Sequence, residues 1–176
     1  GRREINWDGG GSTATTVSAT PFDGFLNIRG GRFSTDGDGF LQAPATGIGE
    51  FFRNPFYGSI FRTFSPVRLF APIDSIFTET EFFIPGTNGG VRASTRAFGV
   101  VFTDVENSSG PLAPFRPCGA CTVVEFVDAE GRVLLSSIAP ASPGDGNLSF
   151  VGAVFNDARV ASVRIKTGVV PASPTQ

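Results

Sequence analysis

The side chains in this sequence that could do chemistry are few, and one absence decides a great deal. None of the 176 residues is histidine. A Ser-His-Asp or Cys-His nucleophilic centre, or a histidine-based zinc or iron site, therefore cannot be assembled from this chain alone. Carboxylates, one cysteine pair and a set of aromatic rings remain. Glu79 and Glu81 stand two apart in an extended run. They share one face at roughly 5–7 Å, near the separation of a retaining glycosidase pair. Such pairs usually face each other across a cleft from different strands. Two solvent-facing carboxylates, with Thr78, Thr80 and Phe82 turned away, is the plainer reading.

Asp36-Gly37-Asp38-Gly39 has the makeup of part of an oxygen-ligand loop. Glycine supplies the sharp turn and backbone carbonyls add hard ligands, which points to Ca2+. The full EF-hand pattern is absent, and a polar turn is the competing reading. Cys118-Gly119-Ala120-Cys121 reads as a local disulfide closing a turn in an exported protein. A free pair is the second reading, and a thioredoxin-like site the last, because the pair precedes a strand and not a helix. Two cysteines without histidine make no structural zinc site. Phe51, Phe52, Phe56 and Tyr57, with Arg53 among them, lie in the long irregular stretch 44–59. They could stack on sugar rings or anchor a partner, or they could cap an open end of the fold.

The elements that position these groups read as strands. The clearest are 95–105 and 121–128, two runs rich in Val, Phe and Thr separated by turn residues. The first has Phe98, Val100 and Phe102 on one face and Ala97, Gly99, Val101 and Thr103 on the other, so both faces look buried. Further strands are expected at 3–8, 25–28, 32–34, 40–43, 60–65, 68–70, 75–84, 132–138, 148–155 and 160–166. Trp7 is expected in the core. No stretch keeps a helical period, so a single antiparallel β-sandwich of about ten strands fits best. It spans residues 1–167, and 168–176 reads as a Pro/Ser/Thr-rich tail or the start of a linker.

Composition narrows the partners. The net charge is -2, which offers no footprint for nucleic acid or an anionic membrane. Every basic residue except Lys166 is arginine, the better residue for planar contacts, although codon bias accounts for it equally well. No apolar run reaches the roughly 18 residues of a spanning helix. The chain opens on Gly1-Arg2-Arg3 without an initiator methionine, as expected of a processed, exported form.

Several segments fall in order along nearly the whole chain: 3–9, 33–35, 64–70, 82–87, 98–105, 148–152 and 161–165. Among them are Arg3-Glu4-Ile5-Asn6-Trp7-Asp8-Gly9, Phe82-Phe83-Ile84-Pro85-Gly86 and Phe98-Gly99-Val100-Val101-Phe102. As a set they resemble a family of exported bacterial β-sandwich proteins that often end in a PEP-CTERM-type sorting tail. The resemblance implies a secreted, jelly-roll domain similar to carbohydrate-binding modules, and no particular activity. Members commonly continue past Val163-Arg164-Ile165 into a further strand with paired aspartates. That strand is absent up to Gln176 and is expected to be either trimmed or supplied from elsewhere. A calcium site joining Asp8 to acids on a late strand would then be incomplete. Cys118, Cys121, Asp36 and Asp38 have no counterpart in the family pattern.

The expectation is a non-enzymatic binding or adhesion module at the cell surface or in extracellular matrix, with polysaccharide as its ligand. The rival is a structural subunit that assembles with its own copies by strand exchange or edge pairing. Glycoside hydrolysis at Glu79 and Glu81 rests on fold analogy alone.

Overall fold

A computed structural model describes residues 1–9, 11–108, 120–168 and 170–173. Its described residues form ten strands and three short helices. They are β1 (Thr16–Ser18), α1 (Leu26–Arg29), β2 (Gly31–Ser34), β3 (Gly39–Ala43), α2 (Ala45–Phe51), α3 (Tyr57–Ile60), β4 (Leu69–Ile73), β5 (Phe77–Phe82), β6 (Ala97–Thr103), β7 (Val123–Val127), β8 (Val133–Ile138), β9 (Leu148–Val154) and β10 (Ser162–Lys166). The strands make a five-stranded sheet in the order β2-β5-β10-β7-β8, a three-stranded sheet β1-β3-β4 and a two-stranded sheet β6-β9. Every pairing is antiparallel. The fold is an all-β sandwich.

Alternation along the strands builds the layers. Val124 and Phe126 of β7 and Val163 and Ile165 of β10 point to one side, where Val151 of β9 and Phe98, Val100 and Phe102 of β6 meet them. Phe98 contacts Phe82 of β5 and Phe126 of β7. Phe155, just past β9, contacts Phe126, and Ser149 of β9 donates to the Pro140 carbonyl just past β8. Thus β6 covers the β5 side of the large sheet, and β9 lies over its β7–β8 side.

The three-stranded sheet builds a second core. Leu41, Ala43 and Ile73 pack with Ile48 of α2 and with Phe52. Aromatic rings join this half to the large sheet: Phe70 of β4 lies 5.5 Å from Phe33 of β2 and stacks at 4.6 Å on Phe40 of β3. The described end of the chain also docks here. Ala172 packs on this core, and its carbonyl accepts the Asp74 N–H.

Three segments differ from their expected form. Residues 3–8 run without sheet pairing, Trp7 being held by rings and not by a ladder. Residues 25–28 turn into α1, which stops at Gly30 in the left-handed region (φ 78), where a side chain would strike the Phe83 carbonyl at 2.2 Å. Residues 60–65 form no strand, and α2 and α3 occupy the irregular stretch before them. Both helices are too short to stand without tertiary packing.

Phe126 is fully buried at the centre of the large core. Phe126→Ala is expected to cost about 3–5 kcal/mol, read as a lowered urea midpoint with an unchanged slope.

Candidate functional site

The expected site residues are distributed, not gathered. Asp8 is buried, and its Oδ1 accepts the backbone N–H groups of Val67 and Arg68 at 3.0 and 3.1 Å. Arg68, also buried, donates back to the Trp7 carbonyl at 2.7 Å, and to the Ala14 carbonyl and Thr16 Oγ1. Asp8 is therefore a clasp between the N-terminal segment and the approach to β4, with one carboxylate oxygen already committed. Asp36 and Asp38 are exposed. Asp36 accepts from the Ser75 hydroxyl, and the Asp38 N–H bonds to the Ile73 carbonyl. Among the described residues no three His, Cys, Asp or Glu side chains come together to hold a metal. The calcium candidates Asp8, Asp36 and Asp38 are thus not assembled into one site.

The aromatic set divides. Phe52 is only 2 % exposed, with Phe51 and Tyr57 packed against its core. Phe51 and Phe52 meet edge to face at 5.1 Å, and Tyr57 reaches Phe61 at 5.0 Å. Phe56 alone is presented to solvent, at 73 %. Arg53, in the left-handed region at φ 53, lines a shallow cleft of about 400 Å³ with Glu50 and Pro55. Most of this set caps the second core. Cys121 is fully buried and disulfide-bonded, and Cys118 lies outside the described residues.

Glu79 and Glu81 do lie side by side on the outer face of β5. Glu79 Oε1 accepts from Ser162 Oγ at 3.0 Å and from Arg164 Nε at 3.3 Å, and Glu81 is paired with Arg92. The β pairings align Ser34, Glu79, Arg164, Glu125 and Ser136 in one row across all five strands. A cleft of about 290 Å³ between the β7–β8 turn and the segment after β9 is charged as well. Its guanidiniums are already matched, Arg132 with Asp128 and Glu130, and Arg159 with Asp157.

Asp104, which sequence reasoning did not single out, follows β6 at φ 60. Burial pushes its carboxyl above the ordinary carboxylate range, and the charges of Glu106 and Asp145 add to the shift.

The unusual surface is at the sheet edges. Natural sheets blunt free edges with charge, proline, shortness or cover. Here β1 has three residues, β2 carries Arg32 and is bridged by Phe22, and β4 contains Pro72. By contrast β6, β8 (Val133-Leu134-Leu135-Ser136-Ser137-Ile138) and β9 (Leu148-Ser149-Phe150-Val151-Gly152-Ala153-Val154) contain neither charge nor proline. Among the described residues each has a strand partner on one side only, β9 for β6, β7 for β8 and β6 for β9. Of these, β8 and β9 end the two layers on the same side of the sandwich.

Outside this rim, the solvent face of β6-β9 holds Ala97, Gly99, Val101 and Thr103 opposite Val154, Gly152, Phe150 and Leu148. The Phe150 ring lies over the Gly99–Gly152 pair, since a Cβ at either position would meet it at 2.8–2.9 Å. Phe150 is 63 % exposed and Val154 76 %.

No family model, curated protein or solved structure matches the chain.

Two outcomes test these assignments. Arg68→Ala should lower stability by about 3 kcal/mol, the scale of losing charged hydrogen bonds to buried acceptors, in urea unfolding with or without added Ca2+. Asp104→Asn should raise stability at pH 7. A folded-state pKa above the unfolded one means that ionisation costs stability as pH rises through the folded value. The gain should vanish below about pH 4, the unfolded value, where Asp104 is protonated in both states.

Proposed function

We propose that this chain is a non-enzymatic structural and adhesion module of the cell surface or extracellular matrix, working by association with its own copies. The single observation that carries this reading is the contrast among its edges. Those of β1, β2 and β4 are blunted, while β8 and β9, neither with a second strand partner among the described residues, form an uncharged rim of backbone donors and acceptors on one side. Export is supported by the disulfide at Cys121, since such bonds persist in oxidising compartments. The segments shared with the exported bacterial sandwich family support it as well.

Polysaccharide binding is the second reading, favoured by the outer face of the large sheet. Glu79, Arg164 and Glu125 lie in one cross-strand row there, beside Phe77, which is 48 % exposed. Carboxylates and a guanidinium can share sugar hydroxyls, and a ring can stack on a sugar face. In this reading Glu79 and Glu81 hold ligand and do no catalysis.

Light scattering across a wide concentration range, beside retention on a panel of insoluble polysaccharides with Ca2+ or EDTA, separates the two. The expected outcome is a mass that rises with concentration and no retention. A constant 18.5 kDa species that is retained on a subset of glycans would transfer the function to the outer face. Loss of that retention in EDTA would add a metal to it.

A further inference from the structure

Resting on the self-association reading, we infer that the contact is a closed, two-fold pairing of the β8/β9 rim of one copy with the same rim of a second copy, centred on Val151. The first argument is hydrogen bonding. A strand with a neighbour on one side leaves every second N–H and C=O pointing outward to water, and another extended strand can pair with all of them at once. At seven residues each, β6 and β9 are the longest strands among the described residues. One edge of β6 is taken by β9, and near its other end the Arg62 N–H bonds Thr103 Oγ1. Among the described residues no second strand pairs with the outer edge of β9.

The second argument is register. Antiparallel pairing of β9 with itself about Val151 sets Leu148 opposite Val154, Phe150 opposite Gly152 and Ser149 opposite Ala153. Every cross-strand pair is then neutral. On the outer face Phe150 already leans over Gly99 and Gly152 of its own sheet, so the small residue opposite it leaves the two backbones free to approach. A shift of one residue would turn Phe150 and Val154 inward, against the layer where Ser149 and Val151 are buried. The alternation therefore excludes odd shifts, and among the even ones the centred register is the one that pairs all seven residues of β9.

The third argument is charge. Two copies each bearing a net charge of -2 meet best along a seam that carries none, and β8 and β9 are that seam. A seven-residue strand is about 23 Å long, and one such pair offers less than the roughly 800 Å² per partner of a stable dimer. In the other layer β8, with Val133 48 % and Leu135 39 % exposed, is the neighbouring uncharged edge that enlarges the contact. Because the same strands meet on both copies, the contact is isologous and closes at two.

Sedimentation equilibrium and concentration-dependent hydrogen exchange test this. The wild type is expected to reach a plateau at twice the 18.5 kDa chain mass, with β9 amides gaining protection as concentration rises. Val154→Lys and Val133→Lys place a charge on the rim at exposed positions and should each weaken dimerisation at least tenfold. Ile28→Lys, equally exposed on α1 (58 %), should leave it unchanged. Circular dichroism of each variant checks that the fold persists. Association that Ile28→Lys weakens and the rim variants spare would overturn the assigned surface while leaving self-association in place. A mass that grows without a plateau would overturn the closed two-fold contact. A monomer at every concentration would remove both readings.

Discussion

The stack of three rings around Phe70 is the contact on which the arrangement of the layers depends. Trp7 lies parallel to Phe70 on one side at 3.9 Å and 9°, and Phe40 on the other at 4.6 Å and 15°. Phe33 and Phe22 approach it at 5.5 and 5.7 Å. Through this one side chain β2 of the large sheet, β3 and β4 of the small one, the unpaired segment of Trp7 and the bridged segment of Phe22 are fixed relative to each other. Ring pairs of this kind add about 0.5–1.5 kcal/mol each beyond the area they bury. They also impose distance and angle, which a cluster of aliphatic side chains would not. The Asp8–Arg68 clasp sits directly behind the stack. It satisfies polar groups that would otherwise be buried unpaired next to the rings.

Phenylalanine's lack of a polar group explains how the chain divides its 19 copies. Among the described residues most are buried or half-buried against other rings and need no hydrogen-bond partner. The exposed one on β9 lies over Gly99 and Gly152, whose lack of side chains leaves it room. Charge is distributed the opposite way. The outer face of the five-stranded sheet is crossed by alternating carboxylates and guanidiniums, while the strands β8 and β9 themselves carry none. The molecule thus has a face that favours water and a margin that does not. This asymmetry, and not any pocket, is its most distinctive surface property.

Much of the fold was legible in the sequence. The strands at 97–103, 123–127, 133–138, 148–154 and 162–166 announce themselves by alternation, and Thr80 and Phe82 do turn inward from Glu79 and Glu81. The failures share one cause. Residues 3–8 alternate like a strand, yet ring stacking on Phe70 holds Trp7 where no neighbouring strand runs. Residues 45–51 carry Gly47 and Gly49, poor helix formers, and become helical because close contact with α3 and burial of Ile48 and Phe52 select that shape. The site was less legible. A run containing Phe51, Phe52, Phe56 and Tyr57 looks the same whether its rings face solvent or a core, because periodicity is lost in irregular backbone. The acids at 8, 36 and 38 share a residue type and not a location. The open rim was invisible for another reason: whether a strand is an edge is a property of topology, which no local pattern encodes.

The sheet order β2-β5-β10-β7-β8 has a temporal consequence. The strand that comes last in sequence, β10, occupies the centre, paired with β5 on one side and β7 on the other. While a ribosome is still making residues 1–161, the two halves of the large sheet lack the strand that joins them. Long-range pairings of this kind form slowly, since distant segments must meet before any contact compensates for the lost freedom. The large sheet cannot be completed until Ser162–Lys166 has emerged. Until then β5 and β7 have no strand between them, so the two halves of the large sheet are joined only by the last strand to arrive.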